Sequence, residues 1–463
     1  MLTSLKPQGM SRFYVLWAGS LVSLFGAMMT SFLLGILAYE QTKSTTAFAL
    51  VLVSYTLPSL VLAPVAGALV DHWNRKWTMM GGVIAVTLCT AVIGLLIYRK
   101  GGWDWRIYLA VAGISVVDAF VTPAYFAVTA LIVPKEQLVR ANSCWQFNYA
   151  LASVIRGPLA VFLSQLVNVW GVIIVDIITY ILVLFSIMVI DIPEPERKTS
   201  TNGSKGLSFK DLAGGWSYIK VRRPLVRLLA YMTVFRFAIY MTNTLFSPMI
   251  LSTGASTKTL AIILSVGSIG SAAGSAAVAI WGGPRHRILG VLGAGLLLSC
   301  GAVLVGVSPN QVCIVLGFLA FCLGGPIGGS CSQAIWQSKT EPQYQGRVTS
   351  LERLLTQWTL PVAALVGSSL ADKFFGPLLV AGGSLATTVG KVIGIGPGRG
   401  IGFLLTLVGL FVMLATFAGY ASPRLRGLEQ EVADGTGLPS GPESARLVVA
   451  SPGMEEGAAV GSE

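Results

Sequence analysis

Charged side chains are scarce in this chain. Of 463 residues only 11% are Asp, Glu, Lys or Arg, where a soluble domain carries roughly 25%. Histidine occurs only at His72 and His286. The six cysteines (Cys89, Cys144, Cys300, Cys313, Cys322 and Cys331) all fall inside apolar runs, and none has ligand spacing with a histidine nearby. Neither a zinc site nor a disulfide framework is indicated. There is no GxxxxGK(S/T) phosphate loop, and the glycine run Gly394-Ile395-Gly396-Pro397-Gly398-Arg399-Gly400 does not satisfy G-x-G-x-x-G and follows no strand. An ATP-driven pump is thereby disfavoured. No nucleophile–base pair or metal cluster stands out, so neither an enzyme nor a cofactor is expected. No cleaved signal peptide is recognisable: Lys6 and Arg12 precede an apolar run, 13–38, that is too long for a signal core.

What the chain has instead is long apolar runs, with 54% of residues hydrophobic. Twelve runs approach the roughly 20 residues that a bilayer requires. They lie near 13–38, 46–70, 77–98, 106–132, 142–166, 170–191, 224–250, 259–281, 288–307, 311–335, 348–371 and 400–420. The reading is an all-α membrane protein of twelve transmembrane helices. The net charge of +12 does not point to nucleic acid, because the basic residues sit in short turns rather than on one amphipathic face. With both termini in the cytoplasm, about 20 Lys and Arg fall on the inner side and about 8 on the outer, which fixes the orientation at a plasma or inner membrane.

One long polar segment, 192–223, separates residues 1–191 from 224–422; it reads as a cytoplasmic linker between two six-helix bundles. The segment 372–399 is Gly-rich and has room for a short re-entrant or surface helix. Residues 423–463 read as a disordered cytoplasmic tail. The halves look like repeats. Pro123 and Pro158 are 35 residues apart, as are Pro326 and Pro361, and each half has its histidine in the turn between its second and third spans. Such a six-plus-six arrangement resembles the parallel repeat of the major facilitator fold, which implies a substrate site between the halves near mid-membrane.

The turn Gly67-Ala68-Leu69-Val70-Asp71-His72-Trp73-Asn74-Arg75-Lys76 packs four titratable groups between two spans. Its pattern G-x-x-x-D-x-x-x-R-K resembles the loop signature of the major facilitator superfamily, with Trp73-Asn74 replacing the usual Gly-Arg. The plain alternative is a positive-inside turn with no further role. The resemblance implies a gate: Gly67, Asp71, Arg75 and Lys76 latching the cytoplasmic side, with Asp71 facing the N-terminus of span eleven. In the second half Trp281 stands where Asp71 would be, so the acidic chemistry of this turn is expected in the first half alone. Gly157-Pro158 is similar to part of the family's exporter motif and would act as a helix bend. The stretch from Pro123 to Asn142 resembles the branch containing macrolide efflux proteins and the enterobactin exporter.

Four ionisable residues, Asp118, Arg156, Asp176 and Arg236, lie deep in spans. A charge there costs at least about 2.5–3.5 kcal/mol on insertion scales, so each needs a partner or water. They form either a proton-coupling set or buried ion pairs, with Arg156 able to reach Asp118 or Asp176. Other carboxylates are expected at surfaces or in the linker. In the family's fold, spans one, four, seven and ten line the cavity. That analogy selects Asp118 and Arg236, with Phe25, Tyr125, Tyr240, Asn243, Gln333 and Trp336 as substrate contacts; for each of the six, ordinary packing or interfacial anchoring is the alternative. Gly270-x-x-x-Gly274 and Gly325-x-x-x-Gly329 read as close helix packing.

The function implied is secondary active transport by alternating access. It is expected to be proton-coupled export of an amphipathic organic compound, such as a drug, macrolide-like molecule, siderophore or secondary metabolite, by a monomer. The alternatives are uptake or facilitated passage of a small polar solute, and a sensor or scaffold that moves nothing.

Overall fold

The computed structural model describes residues 10–70, 73–133, 138–190, 216–281, 284 and 286–432. Every long apolar run becomes a helix, because a backbone in hydrocarbon must satisfy its N–H and C=O groups within the segment. The first four are α1 (Met10–Thr42), α2 (Thr45–Val70), α3 (Arg75–Lys100) and α4 (Arg106–Ile132). Leu138–Val189 follows as one helical stretch interrupted at Asn168, whose φ of 59° and ψ of 174° are not helical. Its apolar part, Leu151–Val189, has 39 residues. At 1.5 Å per residue an unbroken helix of that length would be about 58 Å long, twice the hydrocarbon thickness. Asn168 therefore divides it into α5 (138–167) and α6 (169–189). The second set is α7 (Arg223–Ser252), α8 (Thr257–Trp281), α9 (Arg287–Val307), α10 (Gln311–Lys339), α11 (Pro342–Gln357) with α12 (Thr359–Leu370), and α13 (Arg399–Ala421). Eleven apolar helical segments are long enough to cross a membrane among the described residues, and the division at Asn168 brings them to the twelve spans expected.

Polar residues set the ends. Asn74 is extended and accepts a hydrogen bond from the Trp77 N–H, starting α3; Asn310 does the same for Val312 at α10. Gly101, at φ 65°, closes α3 in the left-handed conformation that a side chain disfavours. Lys76 was read as part of a gate. Its Nζ donates to the Met188 and Ile190 carbonyls (3.1 and 2.7 Å), tying the start of α3 to the end of α6.

Buried apolar side chains gather in two large clusters, one built from residues between Phe13 and Ile190 and the other almost wholly from residues after Tyr218. A small third group, Ala49 and Val53 of α2 with Ala364 of α12, joins the two sets. Gly270 and Gly274 pack as expected: a Cβ at Gly274 would lie 2.7 Å from the Leu323 carbonyl oxygen of α10. Gly325 and Gly329 do not. Their nearest neighbours are Ile239 and Arg236 side chains at 3.8 and 3.7 Å, so this pair faces an open space beside α7 rather than a tight helix seam.

The expected linker and the expected disordered tail each include a helical stretch, which corrects the reading of the tail. Residues 216–221 of the expected linker are helical. Residues 423–432 of the expected tail form two short helical turns, with Leu425 and Leu428 buried. Those leucines supply the apolar surface that a polar tail otherwise lacks. The segment 371–393 holds a π-turn at Ala371–Phe375 and two short helical turns. Asp71, residues 192–215 and residues 433–463 lie outside the described residues.

Candidate functional site

The helices bring side chains from both halves around a central cavity. One lobe, about 510 Å³, is lined by Thr56 and Ser59 of α2, Asp118 and Thr122 of α4, Tyr240 of α7 and Gln357 of α11. A second, about 400 Å³, is lined by Arg236 and Tyr240 of α7, Gln333 and Trp336 of α10, and Glu352 and Arg353 of α11. Tyr240 and Gln357 belong to both. Each lobe falls in the range of roughly 300–1,000 Å³ that takes a small organic ligand. The surface is divided by charge: the α4 side presents one carboxylate, the opposite side two guanidiniums and one carboxylate.

Of the residues selected from the sequence, Asp118, Arg236, Tyr240, Gln333 and Trp336 line this cavity. Asp118 and Gln333 are exposed to it, whereas Trp336 is 5% exposed and its Nε1 has no hydrogen-bond partner. Tyr125 lines a neighbouring chamber with Asp118. Phe25 and Asn243 are in neither wall; Phe25 is half-buried on α1 and Asn243 exposed on α7. Glu352 was expected at a surface. It lies one turn into the apolar part of α11, because that helix is already running at Pro342.

Asp176 is 1% exposed. It does not pair with Arg156. Its Oδ2 accepts from the Thr30 hydroxyl of α1 at 2.7 Å, and its Oδ1 has no hydrogen-bond partner. Gly26 of α1 makes the space, since a Cβ there would stand 2.5 Å from Asp176 Oδ1. Arg156 is half-buried on α5, and no ion pair joins it to either carboxylate among the described residues. Next to it, Gly157 lies against the Ala261 backbone of α8 at 3.4 Å from a would-be Cβ, and the Ser265 and Ser268 hydroxyls of α8 donate to the Val154 and Ser153 carbonyls. Gly157-Pro158 thus sits at a seam between the halves, in continuous helix; the non-helical residue is Asn168.

At the end of the bundle opposite the 216–221 turn, Asp372 joins the halves. Its Oδ1 accepts from the Thr45 N–H (3.0 Å) and hydroxyl (2.7 Å), and its Oδ2 from the Ser44 hydroxyl (2.7 Å) and the Thr46 N–H and hydroxyl (2.9 and 2.8 Å). This carboxylate, 327 residues distant in sequence, caps the N-terminus of α2 from the end of α12. The Thr45 hydroxyl also lies 3.0 Å from the Ser368 carbonyl oxygen. The sequence carried one signal of this contact, the capping-type run Ser44-Thr45-Thr46 ahead of an apolar stretch.

At the other end, Glu429 of the final turn accepts from the Arg287 N–H at 3.0 Å and lies 3.6 Å from His286 Nδ1, while its carbonyl accepts from Lys339 Nζ at 2.6 Å. The carboxylate missing at Trp281 is therefore supplied to the second-half turn by the tail. Beside it, Arg222 pairs with Glu341 at 3.0 Å. The surroundings of Gly67 and Arg75 give no test of the gate, since Asp71 is not among the described residues.

Comparison with known proteins adds to this geometry. A family model described as Major Facilitator Superfamily matches residues 16–358. Macrolide efflux protein A of Streptococcus pyogenes is 23% identical over 371 residues, covering 78% of this chain and 90% of that protein. The protein of the same name from Enterococcus faecalis is 23% identical over 315 residues, 66% of this chain and 95% of that protein. Among solved structures, a bacterial homologue of the human lysosomal transporter Spinster, in an inward-facing and unoccupied conformation, has a TM-score of 0.67 at 14% identity, covering 91% of this chain and 98% of its own. A bacterial homologue of the iron transporter ferroportin, in an inward-facing state, has a TM-score of 0.62 at 12% identity, with coverage of 89% and 98%.

Proposed function

The chain belongs to the major facilitator superfamily and is a secondary transporter, and from that premise we propose that it exports an amphipathic organic compound against its gradient in exchange for protons. The observation that carries this reading is the central cavity between the halves, with Asp118 on one wall and Arg236, Glu352 and Arg353 on the other. The similarity to macrolide efflux proteins over most of the chain supports export and a bulky substrate. The mixed wall of aromatic rings, amides and charges suits a compound with a large apolar body and a few polar groups.

In this reading both termini and the 192–223 linker face the cytoplasm, following the Lys and Arg bias. Gln333, Trp336, Glu352 and Arg353 lie in the cytoplasmic halves of their helices, Asp118 and Tyr240 near mid-helix, and Asp372 with the Ala49–Val53–Ala364 group closes the outer end. Rocking of the halves releases Asp372 from α2 and opens that end. The turn holding Gly67, Asp71, Arg75 and Lys76 then latches the inner side. Asp118, exposed to the cavity, takes a proton from outside and releases it inside as its surroundings change. The chain acts as a monomer, since each monomer contains both walls.

The test is loading of inverted and right-side-out vesicles with a labelled macrolide under an imposed proton gradient. Export that collapses with the gradient supports the reading. Gradient-independent equilibration, or transport of small polar solutes alone, overturns it in favour of facilitated uptake; no movement of any solute favours a scaffold.

A further inference from the structure

The central cavity has a side chamber. A space of about 250 Å³ opens within the first-half bundle between α1, α2, α3, α4 and α6. Asp118 and Thr122 line both this chamber and the central cavity, so the two meet along one face of α4. At its far side stands Asp176, 1% exposed, with the unpartnered Oδ1 described above. Tyr55, Tyr125 and Tyr180 contribute rings from three different helices. The remaining wall combines aliphatic side chains, among them Leu24, Val83, Val86 and Ile114, with the hydroxyls of Ser20, Ser23 and Thr90, and no Lys or Arg lines it.

Two carboxylates facing a chamber without a basic residue are costly to leave unmatched. The chemistry that matches them is a cation able to contact aromatic and aliphatic carbon. A hard metal ion is poorly matched, because such ions are held mainly by carboxylates, carbonyl oxygens and water, and only two carboxylates line this chamber, its other side-chain oxygens being hydroxyls. No group of three or more metal-ligating residues occurs among the described residues. An alkylammonium group fits: the rings attract its charge through their faces, and the carboxylates neutralise it. The volume is below that of a site for a whole drug-sized molecule, so the chamber takes a head group and the central cavity takes the body.

We propose that this chamber, with Asp118 at its mouth and Asp176 at its base, binds the tertiary or quaternary ammonium group of the transported compound. The proposal rests on the export reading and narrows its substrate class to amphipathic organic cations. Asp118 then serves two roles in turn, holding a proton when the chamber is empty and the ammonium group when it is filled.

The experiment uses the full chain in lipid nanodiscs with two probes of equal shape: 4-phenylbutyl-trimethylammonium and its neutral tert-butyl carbon isostere. The cation is expected to bind at least about tenfold more tightly than the isostere, a difference of roughly 1.4 kcal/mol. Asp176→Asn and Asp118→Asn are each expected to remove that preference, and a cooperative thermal transition in detergent shows separately that each variant is folded. Tyr180→Phe should keep cation binding and Tyr180→Leu should weaken it several-fold. Equal affinity for the two probes, or an undiminished preference in Asp176→Asn, overturns the proposal. Proton release on titrating the chamber without any preference for the cation overturns it too, leaving a proton site alone. Vesicles that export a neutral amphiphile while the protein ignores the cation refute this proposal and leave the export reading standing.

Discussion

Replacing Asp372 with Asn should shift the protein away from the state with its outer end closed. The carboxylate lies within hydrogen-bond distance of five donors on Ser44, Thr45 and Thr46, two of them backbone N–H groups approached by different oxygens. An amide keeps the shape but has one acceptor oxygen, so either orientation leaves a backbone N–H of the α2 start facing an NH₂ group. Hydrogen bonds to a charged group are worth about 1.5–3 kcal/mol each, and those sharing an oxygen are not additive. We expect a net loss of about 2–4 kcal/mol, which at 1.4 kcal/mol per factor of ten is about a 30- to 700-fold shift in the closed-to-open ratio. The assay is electron–electron double resonance between spin labels at Lys43→Cys and Lys373→Cys, both exposed positions beside the contact, with the native cysteines replaced. A second, longer distance population should appear in Asp372→Asn at the expense of the short one. An unchanged distribution with a lowered melting temperature would refute the reasoning, because it would mean that the contact is kept in every state.

The second-half turn depends on the tail in a comparable way: Glu429→Gln, or truncation after Ser422, should lower stability by about 0.5–2 kcal/mol, the usual worth of a helix cap, seen as a lower melting temperature in detergent. Gly306→Val should destabilise by about 1–3 kcal/mol through overpacking, because a Cβ there meets the Gly402 backbone of α13; the thermal midpoint reads it, and Gly293→Val, with no neighbour within 4 Å, is the control. Arg156→Leu should leave stability nearly unchanged, since no ion pair to Asp118 or Asp176 is broken; a loss of roughly 3–5 kcal/mol would restore the buried pair considered from the sequence.

Much of the helical frame was legible because the bilayer imposes a length on every span and composition reveals it. Even the division at Asn168 falls in the gap left between the fifth and sixth runs. The cavity was legible where the family's arrangement assigned helices to it, which found Asp118, Arg236, Tyr240, Gln333 and Trp336. What sequence could not show was pairing across the chain. Asp372 looked like one acidic residue in a Gly-rich connection, and only three dimensions bring it to Ser44. Glu352 was missed because its helix begins before the apolar run, so a count from the run's edge placed it at the surface. Arg156 and Asp176 looked like partners because each is a charge in a span, yet Gly26 and Thr30 give Asp176 a place on α1 instead.

The central claim is that proton-driven export runs through Asp118 in the cavity between the halves. The measurement that tests it most directly is uphill substrate efflux by Asp118→Asn in energised vesicles, with exchange of labelled for unlabelled substrate followed in parallel at matched protein levels. The account predicts that gradient-driven efflux is abolished while exchange remains measurable, because the amide mimics a carboxyl that keeps its proton. Uphill efflux at the wild-type rate in Asp118→Asn would contradict it.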